Sequence, residues 1–144
     1  MKSLIFLCCV TIFLISTVVM GADQIAVVVN VENPNTVIKR NELENIFLGR
    51  SSRFPNGEAS TPRDQASSPA KEAFYKLYFK LSLDQIHDFW IRETYRGGKR
   101  APVFVDTRDD VSMKDWISKN RSGIGYLSRG VLDSSVKEVK IENE

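Results

Sequence analysis

From Ile25 to Val31 almost every residue is apolar and β-branched, as "IAVVVNV". A strand with one wet face alternates, so an unbroken run predicts a strand buried on both faces. The turn residues Asn33-Pro34-Asn35 end it. The period then changes to that of a helix. In "KRNELENIFLGR", Leu43, Ile46 and Phe47 fall on one stripe, and Gly49 is placed to close the helix in a left-handed conformation. "FPNG" at 54–57 reads as a turn, and the "EASTP" that follows it as a short polar strand.

Ser67-Ser68-Pro69 opens a second helix, with serine as cap and proline in its first turn. Ala70, Ala73, Phe74, Leu77, Tyr78 and Leu81 line its apolar face. A third helix follows at once. Ser82 with Gln85 forms a capping box, and Leu83, Ile86, Phe89 and Trp90 supply the stripe. "YRGGKRAP" is a basic glycine loop, and "VFV" (103–105) a short strand. Thr107 with Asp110 reads as a further capping box, ahead of a fourth helix with Val111, Trp116 and Ile117 inward. "RSGIGYLS" (121–128) is a short strand containing two glycines, and "VKEVKI" (136–141) a closing strand of alternating pattern. Strands and helices alternate without internal repeats, so the expected class is α/β with a small mixed sheet flanked by helices.

The first two dozen residues stand apart from this pattern. A positive start, Met1-Lys2, precedes the uncharged run "LIFLCCVTIFLISTVV" and then the small residues of "MGA". That order is expected of a secretory signal peptide over residues 1–22, cleaved after Gly21 or Ala22. An uncleaved anchor is the rival reading, because the run approaches the roughly 18 residues a span needs. Both cysteines, Cys8 and Cys9, lie inside the run, and Phe6 and Leu7 do not make a lipoprotein signal. The mature chain, 23–144, then has no cysteine and is held by its core alone, which fits a bacterial periplasm. One domain is the expectation for about 120 residues. The formal charge of +2, or +1 once Lys2 is removed, selects neither nucleic acid nor a membrane surface as partner.

Candidate chemistry is sparse. His87 is the single histidine, and without a mature cysteine or a second histidine, thiol and zinc-type sites lack their ligands. No catalytic residue, metal or cofactor is expected. Asp106, Asp109 and Asp110 sit at a helix start, where the helix dipole accounts for them. "PRDQASSPAKEAF" (62–74) has two readings. The N–H groups of a first helical turn, two hydroxyls (Ser67 and Ser68) and an arginine (Arg63) are the set a phosphate-sized oxyanion asks for. The same residues also describe an ordinary serine-capped helix with a solvated arginine. Pro69 removes one possible donor. "RGGKR" (96–100) is a second positive element, with Arg96 and Lys99 available to close such a site.

Several segments, taken in order, resemble one family. "NELENIFLGRSSRFPNGE" is similar to the "L..IFLG....W..G" signature of phosphate-type ABC transporter substrate-binding proteins. "AFYKLYFKLSLDQIHDFW" resembles the helix pair of their small stand-alone relatives, "YRGGKRAP" a "F.G...PP" loop, and "SGIGYLS" the segment "GAIGYV". The resemblance runs from about Ile25 to Leu127.

It implies a reduced type 2 periplasmic-binding-protein-like fold, covering chiefly one lobe and part of the crossover. It also implies a non-enzymatic protein that binds phosphate or a similar oxyanion, with an ABC transporter permease or a membrane sensor as partner. Set against the family's "R.DGSGT" ligand segment, Arg63 takes the place of the arginine and Ser67 that of the serine. Ser68 replaces the glycine, and Pro69 the threonine. The family's glycine-serine anion loop near the mature N-terminus has no counterpart in "QIAVVVNVENPN". Lys39 stands where relatives place a serine or threonine cap. A ligand-free interaction module docking on a membrane protein is the alternative that these departures suggest.

Overall fold

The computed structural model describes residues 24–105 and 109–143. The expected leader lies outside the described residues, and no described helix is long and apolar enough to cross a membrane.

The apolar run forms strand β1 (Ile25–Asn30), buried at every position. It lies between β5 (Gly123–Ser128) and β6 (Val136–Glu138), antiparallel to both. Strand β3 (Thr61–Asp64) runs parallel to β5 on one side and to the two-residue β4 (Val103–Phe104) on the other. The order β4-β3-β5-β1-β6 is therefore a mixed sheet. The predicted α/β class is borne out.

Period-2 geometry divides β1 between two cores. Ile25, Val27 and Val29 join Ile124 and Tyr126 of β5 against α1 (Arg40–Phe47) and α2 (Pro69–Phe74). Ala26 and Val28 face α4 (Asp110–Lys119) through Met113 and Ile117. On this second face β5 carries glycines because helix α4 comes so close. A Cβ on Gly123 would stand 2.8 Å from the Trp116 ring and 2.9 Å from the Asn120 carbonyl oxygen. A Cβ on Gly125 would overlap the Met113 Sδ. The first core is aromatic. Phe74 stacks on Tyr126 at 4.0 Å, and Phe47 and Phe79 pack around the pair.

Several expectations shift. The polar strand lies over Thr61–Asp64 rather than "EASTP", which makes a single bridge, Arg53 to Ala59. It is half-buried and fixed by its neighbours, so its own pattern carries little signal. Helix α2 passes into a π-turn over Tyr75–Phe79 and stops at Lys80, which takes the left-handed conformation at φ 58°. "VKEVKI" divides between β6 and β7 (Lys140–Glu142), and β7 pairs parallel with β2 (Val37–Lys39), a strand not anticipated from the pattern.

Helix α3 (Leu83–Tyr95) starts at the Ser82–Gln85 capping box as expected. Gly49 closes α1 at φ 66°. Lys39 caps α1 although its side chain can only donate. Glu42 compensates by accepting from the Lys39 N–H at 2.9 Å. Thr107 lies outside the described residues. The cap of α4 is Asp109, whose carboxylate accepts from Ser112 N–H at 2.7 Å. Val111 is 60% exposed rather than inward, whereas Ile117 is buried.

Candidate functional site

Adjacent residues of a strand point to opposite faces of its sheet, and β3 ends on Arg63 and Asp64. Asp64 faces α2 and is 2% exposed. Its carboxylate accepts from Tyr75 Oη at 2.9 Å, from Tyr126 Oη and from its neighbour Gln65 N–H at 2.9 Å, and pairs with Lys71 Nζ at 3.2 Å. The Lys71 ammonium also lies 4.6 Å from the centre of the Phe104 ring. Burial, and then the Asp64 charge, push both tyrosine hydroxyls well above the ordinary tyrosine pKa. They stay protonated and donate.

Gln65 extends the network. It is fully buried, and its Nε2 donates to Asp110 Oδ1 at 2.7 Å. Ser68 Oγ donates to Gln65 Oε1 while accepting from Lys71 N–H at 3.0 Å. Asp110 in turn accepts from Ser128 N–H at 3.0 Å. The starts of α2 and α4 are thus tied together through one buried amide.

Arg63 lies on the other face. Its guanidinium carbon sits 4.3 Å from the centre of the Trp116 ring. Its Nε is shielded from solvent and has no acceptor among the described residues. Nor does Arg63 pair with any described carboxylate. It lines a cavity of about 540 Å³ with Phe104, Val111, Ser112 and Trp116; the one acid among the described lining residues, Asp115, is taken by Lys119 at 2.8 Å.

The five expected site residues do not converge. Ser67 lines a different cavity, of about 500 Å³, with Lys71, His87 and Trp90, and Phe104 is a wall common to both. Ser68 lines a third, of about 400 Å³, beside Asp109 and Asp110. Arg96 is exposed and paired with Glu93 at 3.5 Å. Lys99 packs its stem against Gly49, which the Trp90 ring also approaches, and lines none of these three cavities.

The residues that pattern reading missed are Asp64, Gln65, Lys71, Tyr75 and Trp116. Their one local signal is the charged pair Arg63-Asp64 inside a strand, where the pleat must separate them. Among the described residues no group of three or more His, Cys, Asp or Glu side chains is placed to hold a metal.

The sheet order and flanking helices define a small mixed α/β fold, and superposition on solved structures shows it to be a reduced form of the type 2 periplasmic-binding-protein-like fold. The chain superposes on solved structures of phosphate-binding proteins. An ABC-type phosphate transport receptor from Vibrio cholerae superposes with a TM-score of 0.63 at 22% identity, over 82% of this chain and 46% of its own. A phosphate-type ABC transporter substrate-binding protein from Clostridium perfringens, solved with bound phosphate, gives 0.60 at 16%, over 82% and 44%. PstS from Borrelia burgdorferi gives 0.59 at 15%, over 83% and 47%. The family resemblance read from the sequence is borne out at the level of the fold. The chain spans a little under half the length of these receptors. No protein-family model and no curated protein sequence matches it.

Proposed function

We propose that this chain is a non-enzymatic solute-binding protein that takes phosphate or a related oxyanion, with Arg63 supplying the charge. The observation that carries this reading is the state of the Arg63 guanidinium, which is held over Trp116 at the wall of a cavity and unpaired among the described residues. An arginine so placed lacks the charge-assisted bonds it would gain from an oxyanion. Lys71, in the neighbouring cavity, is already neutralised by Asp64. The surroundings of Ser68 are acidic. Charge therefore favours the Arg63 cavity, with Ser67 across the Phe104 wall as an accessory hydroxyl. Arg96 and Lys99 line neither this cavity nor that of Ser67 and are left out of the site.

Export by a cleaved leader (residues 1–22), a single domain over 23–144, a periplasmic setting and service to an ABC transporter or membrane sensor complete the reading. The phosphate-receptor fold of the solved structures supports it. Isothermal calorimetry of the mature chain with phosphate and sulfate tests it. Saturable heat that Arg63→Ala removes is the expected result. Absence of heat and of any thermal shift at millimolar anion overturns it.

A second reading, a docking module without a ligand, is favoured by one observation. Ser68 Oγ and the Lys71 ammonium are both spent on internal bonds. Recovery of a membrane partner that is indifferent to phosphate and to Arg63→Ala would support that reading over the first.

A further inference from the structure

The end of α3 and the loop beyond it carry a surface used by none of these cavities. Ile91 and Tyr95, one helical turn apart, are both exposed, Tyr95 at 89%. Around them stand the exposed cations Arg92, Arg96, Lys99 and Arg100. Gly97, at φ 66°, makes the reversal that turns the loop back. Lys99 then rests on the end of α1, its Cβ 3.1 Å from where a Gly49 side chain would begin. Exposed Arg50 is the next residue after Gly49.

Five exposed cations therefore lie on or beside the end of α3 and its loop, with Arg92 and Arg96 one turn apart next to the Ile91–Tyr95 pair. Within residues 88–100 the acids are Glu93, paired with Arg96, and Asp88, two turns before Tyr95. With a formal charge of only +2 for the whole chain, positive charge is concentrated here.

We infer that this face docks an acidic segment of a partner protein. Carboxylates of the segment meet Arg92, Arg96 and Arg100, and an apolar side chain lies against Tyr95 and Ile91. Charge complementarity sets the sign of the partner. Four of the five cations are arginines, whose planar forks match carboxylates two bonds at a time. Arginine and tyrosine are also the side chains that concentrate binding energy at protein interfaces. A bilayer is the poorer occupant, because Ile91 and Tyr95 are the exposed large apolar side chains of α3, too few to anchor it in the acyl region. The proposal stands whether or not Arg63 takes an oxyanion.

Fluorescence anisotropy with a labelled peptide of glutamates flanking one tryptophan tests it, with the glutamine version as control. The glutamate peptide binds and the glutamine peptide does not. Binding weakens as salt is raised. Arg96→Glu with Arg100→Glu lowers affinity roughly tenfold or more. Tyr95→Ala lowers it severalfold at every salt concentration. These side chains are exposed, so thermal unfolding of the variants stays unchanged. Arg63→Ala leaves peptide binding intact, which separates this test from that of the oxyanion site. Peptide binding untouched by the double charge reversal and by Tyr95→Ala overturns the proposal. So does a lack of peptide binding, whether or not the protein sediments with phosphatidylglycerol vesicles.

Discussion

Arg63 and Asp64 are neighbours in sequence, yet the two faces of β3 treat them in opposite ways. On the α2 side, Asp64 has a full set of partners: two tyrosine hydroxyls, a lysine and a backbone N–H. On the α4 side, Arg63 has an aromatic ring and a cavity, and no carboxylate among the described residues. A buried charge whose bonds are complete is part of the scaffold. A shielded charge with bonds to spare is where a ligand of opposite sign gains most. The fold thus completes its internal ion pair on one face of the strand and leaves on the other the arginine proposed to take an oxyanion.

The largest expected effect breaks the scaffold side. Asp64→Asn leaves the Lys71 ammonium buried without its counter-charge, and should cost about 3–5 kcal/mol in denaturant unfolding. Lys71→Met should cost less, because Tyr75, Tyr126 and the Gln65 N–H still solvate the carboxylate. A Lys71→Met loss equal to or greater than that of Asp64→Asn would break the account of a self-sufficient carboxylate.

Alkaline pH probes the same network. Burial and the nearby Asp64 carboxylate hold Tyr75 and Tyr126 well above the ordinary tyrosine value of 10.0. Above about pH 10 the unfolded chain therefore loses its tyrosine protons before the folded one does. Their contribution is fully present below pH 10 and declines as pH rises beyond it. Thermal scans should show stability falling in that range, less steeply for Tyr75→Phe.

On the binding side the contrast reverses. Arg63→Ala should leave unfolding within about 1 kcal/mol of the parent, since the side chain is half-buried and makes one ring contact. It should weaken oxyanion affinity roughly tenfold to a hundredfold, the value of one or two charge-assisted bonds, as read by calorimetry. The smallest effect is expected from Ser67→Ala, a few-fold in affinity and nothing in stability, because Ser67 is exposed and lines the other cavity. If Ser67→Ala weakened binding more than Arg63→Ala, the anion would belong in the Ser67 cavity.

Much of the scaffold was legible from pattern. The unbroken β1 run, the α1 stripe closed by Gly49 and the Ser82–Gln85 cap of α3 depend on residues within a few positions of each other, so local rules suffice. The misplaced elements were those whose partners lie far along the chain. β2 is three residues long and has only its middle residue buried; it exists because β7, about a hundred residues later, pairs with it. β3 has a proline and two charges, and is held by β5 and β4.

Residue types were likewise legible where their arrangement was not. The sequence by itself determined a β1 strand that demands cover on both faces, a serine-capped α2 start, and an arginine with two serines nearby. Those follow from period, cap chemistry and turn residues, which act over one helical turn or less. Only the tertiary structure decided that Arg63 turns to Trp116 while Asp64 turns to Tyr75 and Tyr126, and that Ser67 and Ser68 open into separate cavities. The pleat of a strand sends neighbours to opposite sides, and what waits on each side is supplied by distant segments brought there by sheet pairing.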